Sequence, residues 1–137
     1  MLTKKYLDEL TYEIIGAAIE VHKSLGSGLL ESVYHACLKE ELLFKGIFFE
    51  SEVSAPVTYR NRILDVSLRC DLIIEKCVVV ELKSVKDLVN IFDAQLLTYM
   101  KLLKCPKGIL LNFNCSNIFK EGQKTLVNEY FGQLPNF

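Results

Sequence analysis

The sequence predicts an α/β fold, a mixed sheet containing an antiparallel meander and flanked by helices. Three observations carry that reading. Near the start of the chain apolar residues recur every three or four positions, the period of an amphipathic helix. Between about residues 48 and 83 the composition changes to short runs rich in β-branched residues with turn-like breaks. A second helical pattern follows, and then GILLNF, an almost wholly apolar run of strand length. Helices on both sides of a sheet segment indicate the α/β class.

Taken in order, Leu7, Leu10, Ile14, Ala18 and Val21 mark the first helix, which should stop at Gly26-Ser27-Gly28. The second begins after Gly28 and runs to Gly46, with Leu30, Val33, Cys37 and Leu38 read as its apolar side. FFESEV, APVTYR, LDVSLRCDLII and CVVVELK read as the strands of the meander. In NIFDAQLLTYMKLLK, Asn90 is the expected N-cap, and Phe92, Leu96, Tyr99 and Leu103 the expected stripe. Pro106 follows that helix, and GILLNF should be covered on both faces. FKEGQKTLVNEYF reads as a hairpin-like excursion or a short helix. Without repeats, low-complexity tracts or linkers, residues 1–137 are expected to form a single domain.

Charged residues inside the apolar meander raise the functional question. Side chains alternate along a strand, so Glu81 and Lys83 share one face while Val80 and Leu82 take the other. Whether Asp71 joins them depends on the turn. A two-residue connection at Glu75-Lys76 sets Asp71 opposite Val80, whereas three residues or a bulge set it opposite Glu81. Two neighbouring carboxylates repel unless a cation sits between them. Mg²⁺ or Mn²⁺, which bind through one or two carboxylates and several waters, suit such a pair. A lysine alongside can orient water or stabilise charge developing on phosphorus. The same spacing also describes a salt-bridged strand pair in which Lys83 only neutralises Glu81. Glu31 falls in the first turn of the second helix, where an acid also suits the helix dipole. Gln95 and Tyr99 lie four apart on the third helix, where a plain core reading is available too.

Together these stretches resemble a known family. EVHKSLGSGLLESVY carries a G-x-x-E-x-x-Y pattern at Gly28, Glu31 and Tyr34, and RCDLIIEKCVVVELKSV, AQLLTYMKLL and GILLNFN are similar to the rest of the GxxExxY protein family. That family belongs to the PD-(D/E)xK nuclease superfamily, near its RecB-like branch. The resemblance implies a restriction-endonuclease-like core and a metal-dependent phosphodiesterase. It assigns Asp71 and Glu81 as metal ligands, Glu31 as an additional acid, Lys83 as the catalytic lysine, and Gln95 with Tyr99 as supporting residues. Ser27 and Phe92 stand where relatives are expected to carry proline and histidine.

Bulk properties leave the partner to local features. The 137 residues carry a net charge of -1, so no global field draws the protein to nucleic acid or an anionic membrane. No segment approaches the roughly 20 apolar residues of a membrane span, and a cytoplasmic protein is expected. Five widely spaced cysteines without a C-x-x-C pair read as reduced thiols. The expected partner is nucleic acid, DNA first, with phosphate contacts from Arg60, Arg62, Arg69 and Lys86, although these charges also suit strand edges that deter aggregation. His22 and His35 are candidates to approach the site. A homodimer is expected because so small a nuclease has little surface for a duplex. The competing function is a catalytically silent nucleic-acid-binding or protein-interaction module on the same fold.

Overall fold

A computed structural model describes residues 1–137. Its elements are α1 (Lys4–Leu25), α2 (Glu31–Lys45), β1 (Phe49–Tyr59), β2 (Arg62–Ile74), β3 (Val78–Lys83), α3 (Asn90–Leu102), β4 (Lys107–Asn112), a π-turn (Ile118–Gly122), β5 (Gln123–Val127) and α4 (Glu129–Gly132). The five strands lie in the order β1-β2-β3-β4-β5. All neighbours are antiparallel except β3 and β4, which run parallel. A parallel pair needs a long crossover, and α3 supplies it. This is the mixed sheet with an antiparallel meander that the sequence predicts.

α1 starts at Thr3, whose hydroxyl accepts from the Tyr6 N–H, and ends at Gly26, where a φ of 73° would strain a side-chain-bearing residue. Its buried positions include the five read from the sequence. α2 differs from expectation. Leu30 is 74% exposed and Val33 is also exposed, while Tyr34, Leu38 and Leu42 are buried. Leu38 is buried and Cys37 packs against the core as expected, but at the start of the helix Tyr34, an amphipathic residue, takes the inward position in place of Leu30 and Val33. α3 is not capped by Asn90, because Val89 occupies the N-cap and no side chain caps the end. Of the expected stripe Leu96 is buried together with Met100, while Phe92, Tyr99 and Leu103 pack at its margin.

FFESEV and APVTYR form one strand rather than two. β1 bends at Glu52, whose φ of 54° is left-handed. Tyr59 pairs with Arg62 across a two-residue turn whose members, Arg60 and Asn61, both have positive φ, as a type I′ hairpin requires. The outer part of this hairpin is an exposed arm carrying Tyr59, Ile63 and Val66 into solvent. The final stretch resolves into the π-turn, an edge strand and a single turn of helix.

Alternation along β3 and β4 divides the core. Val78, Val80, Leu82, Ile109 and Leu111 meet α1 and α2, whereas Val79 and Leu110 meet Leu96 and Met100 of α3. Fully burying one such side chain contributes roughly 1.5–3 kcal/mol. α3 can lie this close because β4 offers Gly108, where an added Cβ would come within 2.6 Å of the Met100 sulfur. No helix is long and apolar enough to cross a membrane.

Candidate active site

Leu72 pairs with Val80 and Ile74 with Val78, so Glu75, Lys76 and Cys77 form a three-residue connection and Asp71 falls level with Glu81. The two alternatives for the turn are thereby decided. Glu75 and Lys76 both have positive φ, and the Cys77 N–H closes the turn onto the Ile74 carbonyl at 3.0 Å.

The β2–β3 backbone pairing ends at Leu72 and Val80, and at the next rung the acids take over. The Asp71 N–H donates to Glu81 Oε1 at 2.9 Å, and the Leu82 N–H donates to Asp71 Oδ2 at 2.8 Å. Each carboxylate thus satisfies the backbone of the other strand where the strands part. Alternation also breaks here. Cys70 packs with the α3-side cluster and Leu72 with the other, although two residues apart they would ordinarily share a face. Opposite the break stands Glu52, with its left-handed backbone.

Glu81 is only 8% exposed. Burial first, and the charge of Asp71 second, push its pKa up to about 8, against the opposing pull of the Asp71 N–H and Lys83. Glu31 is raised as well, by burial first, with Lys83 lowering and Asp71 raising it. The Tyr99 hydroxyl is raised by burial and then by the charge of Glu81. Glu31, Asp71, Glu81, Lys83 and Tyr99 therefore act on one another electrostatically. Glu31 and Asp71 also line one cavity of about 190 Å³ with Ser32, His35 and Leu82. Gln95 is placed less centrally. It is exposed on α3 and lines a separate groove with Leu68 and Tyr99.

The Gly28, Glu31 and Tyr34 spacing has a structural cause. Gly28 has a φ of 92°, which lets the chain turn into α2. Tyr34 is fully buried and stacks on Phe113 with ring centroids 4.4 Å apart. Its hydroxyl donates to the Gly26 carbonyl at 2.6 Å and accepts from the Leu29 N–H at 3.2 Å. The tyrosine is thus a brace for the loop that delivers Glu31. Ser84 joins this bracing, its hydroxyl donating to the Leu29 carbonyl at 2.6 Å and tying the end of β3 to the start of α2. Asn112 is buried and bonds both the N–H and the carbonyl of Val85, holding the chain that leaves Lys83. Sequence reasoning missed Ser84 and Asn112, since a lone serine and a lone asparagine carry no periodic signal.

The histidines separate. His35 lies in the cavity beside Glu31, its Nε2 3.2 Å from the Ser51 hydroxyl. His22 instead meets the Cys115 carbonyl at 2.9 Å and braces the segment after β4. All five cysteines are free thiols.

No three His, Cys, Asp or Glu side chains converge into a cage for an ion. The donor set still suits a small divalent cation, because Mg²⁺ takes one or two carboxylates and fills its shell with water. Burial first and the Asp71 charge second raise the Glu81 pKa, and a cation would relieve the second of these. Asp71 Oδ1 and Glu81 Oε2 accept no hydrogen bond from the protein and are left for such a role.

Comparison with known proteins agrees with this fold. The profile of the PD-(D/E)XK nuclease superfamily matches residues 8–125, and the chain belongs to that superfamily. It is similar to a solved structure titled "Crystal structure of SSO0001", with 26% identity and a TM-score of 0.52 over 71% of this chain. The matched part is 49% of that structure's chain, so this protein spans about half its length. No curated protein matches.

Proposed function

From this superfamily membership we propose that the protein is a metal-dependent nuclease of the GxxExxY family, within the RecB-like branch, hydrolysing phosphodiester bonds in DNA. The observation that carries the reading is the crossed bonding of Asp71 and Glu81 where β2 and β3 diverge, with Glu31 and Lys83 within electrostatic reach. A salt-bridged strand pair does not account for it, since Lys83 takes part in none of the ion pairs.

Asp71 and Glu81, assisted by Glu31, are the residues that would hold Mg²⁺ or Mn²⁺, whose bound charge would polarise a phosphoryl oxygen. The divergence of the strands leaves Asp71 partly exposed beside the cavity it shares with Glu31, where a phosphodiester would approach, while Glu81 is buried behind it. The Lys83 ammonium offers three donors to an attacking water or to charge growing on the phosphate. His35 and Ser51 form a hydrogen-bonded pair at the α2 side of the cavity, and Tyr99, in the neighbouring groove on α3, feels the charges of Glu81 and Asp71. Arg60, Arg62 and Arg69 line the exposed arm and make no ion pair within the protein, which leaves them free for backbone phosphates. A homodimer would bring two such arms to one duplex.

The lack of a three-ligand cage favours one other reading, a binding module that does not turn over substrate. Incubation of labelled single- and double-stranded DNA and RNA with Mg²⁺ or Mn²⁺ separates the two. Metal-dependent cleavage of DNA is expected. Binding without cleavage in any metal supports the silent module instead.

A further inference from the structure

We propose that Phe92 is the positioning residue of Lys83, its ring face rather than any carboxylate setting where the ammonium lies. The inference rests on the nuclease reading above and adds a residue to it. Lys83 Nζ sits 4.5 Å from the centroid of the Phe92 ring, inside the range where the negative face of an aromatic ring attracts a cation. Glu31 and Glu81 influence Lys83 through space, yet neither is in ion-pair contact with it.

The difference has chemical content. A lysine drawn onto Glu81 or Glu31 would neutralise a carboxylate needed for the cation and turn its own donors away from substrate. A ring restrains the same ammonium and consumes neither a carboxylate nor a directional hydrogen bond. Phe92 suits the task because it is itself fixed. It lies in the first turn of α3, its N–H bonds the Val89 carbonyl at 3.0 Å, and its ring packs against the cluster that contains Val79, Leu96 and Met100. That position also answers an electrostatic problem. The positive end of the α3 dipole disfavours a nearby lysine, and the ring face offers the cation a compensating contact.

The test uses the full chain with lysine labelled by ¹³C and measures both the Lys83 methylene shifts and cleavage kinetics for the wild type, Phe92→Leu and Phe92→Tyr. In metal-free wild type the Lys83 ε-protons should lie upfield of the lysines that face no aromatic ring, displaced by the ring current, and further than those of Lys4, Lys76 and Lys107, whose rings lie 5.5–6.0 Å away. Phe92→Leu should return them to the ordinary position and lower kcat roughly three- to tenfold with KM unchanged, as loss of one such contact implies. Phe92→Tyr should restore both. Melting curves identify a leucine variant that is merely unfolded, and in that case the tyrosine variant and the wild-type shift still decide the question. Ordinary shifts in the wild type overturn the inference even if the enzyme is active. So does a folded Phe92→Leu with wild-type kcat. A shifted lysine in a protein that cuts no nucleic acid sinks the nuclease reading separately and reduces the ring contact to packing, which also overturns the positioning role.

Discussion

Replacing Asp71 by asparagine separates a ligand site from a structural ion pair, because the two make opposite predictions for the metal-free protein. Asparagine keeps the shape and an oxygen that can still accept the Leu82 N–H, while removing the charge beside Glu81. Glu81 rises from 4.5 to about 8 on folding. The folded state therefore binds a proton more tightly than the unfolded chain, and stability is fully present below about pH 4.5 and lost as pH climbs through 8. At about 1.36 kcal/mol per unit the whole loss is roughly 4–5 kcal/mol. Burial is its larger cause and Asp71 the second, so removing the Asp71 charge should recover on the order of 1 kcal/mol above pH 8 and nothing near pH 5. In a chain of this size that is a rise of about 3–4 °C in Tm. Thermal melts of both proteins from pH 5 to 9 with chelator, repeated with excess Mn²⁺, supply the assay. Wild type should gain about 3 kcal/mol when the metal is near 100 times its Kd, increasingly so as pH rises and Glu81 gives up its proton, whereas Asp71→Asn should gain much less. A clear loss of stability in metal-free Asp71→Asn at pH 8.5, with the same response to Mn²⁺ as wild type, would refute the reasoning.

Lys83→Met retains most of the aliphatic stem, so the Mn²⁺-dependent rise in Tm should survive while cleavage in a labelled-DNA assay falls at least about a hundredfold. Tyr34→Phe removes the bonds to Gly26 and Leu29 that brace the loop before Glu31. It should cost about 1–3 kcal/mol in denaturant melts and raise the metal concentration needed for half-maximal cleavage. Gly108→Ala drives a methyl group against Met100 and Leu96, and chemical denaturation should show a loss of about 1–3 kcal/mol without any change in metal dependence.

Much of the architecture was legible because it is written in local periods. The spacing of Leu7, Leu10, Ile14, Ala18 and Val21 is enough to find α1, and the apolar run of β4 announces a strand buried on both faces. The period also misled where a polar-tipped side chain was the buried one. Tyr34 takes the core position of α2 because Phe113, 79 residues later, offers a ring to stack on, and no window of helix sequence contains that partner. Asn90 is a good cap by type, yet the backbone places Val89 at the end of α3.

For the site, strand alternation alone determined that Glu81 and Lys83 share a face, because backbone geometry enforces it whatever the rest of the chain does. Tertiary structure decided what those residues meet. The three-residue turn sets Asp71 level with Glu81, and the end of the β2–β3 ladder lets each acid bond the opposite backbone. Contacts between residues far apart in sequence then assign the remaining side chains. Ser84 reaches back 55 positions to Leu29, His22 reaches forward 93 to Cys115 and so leaves the site, and Lys83 comes to rest on Phe92. Chemical type and local spacing propose which groups can act together. Only the closure of sheet against helix brings their charges close enough to shift one another, since both burial and Coulomb coupling depend on distances through space that the order of residues does not contain.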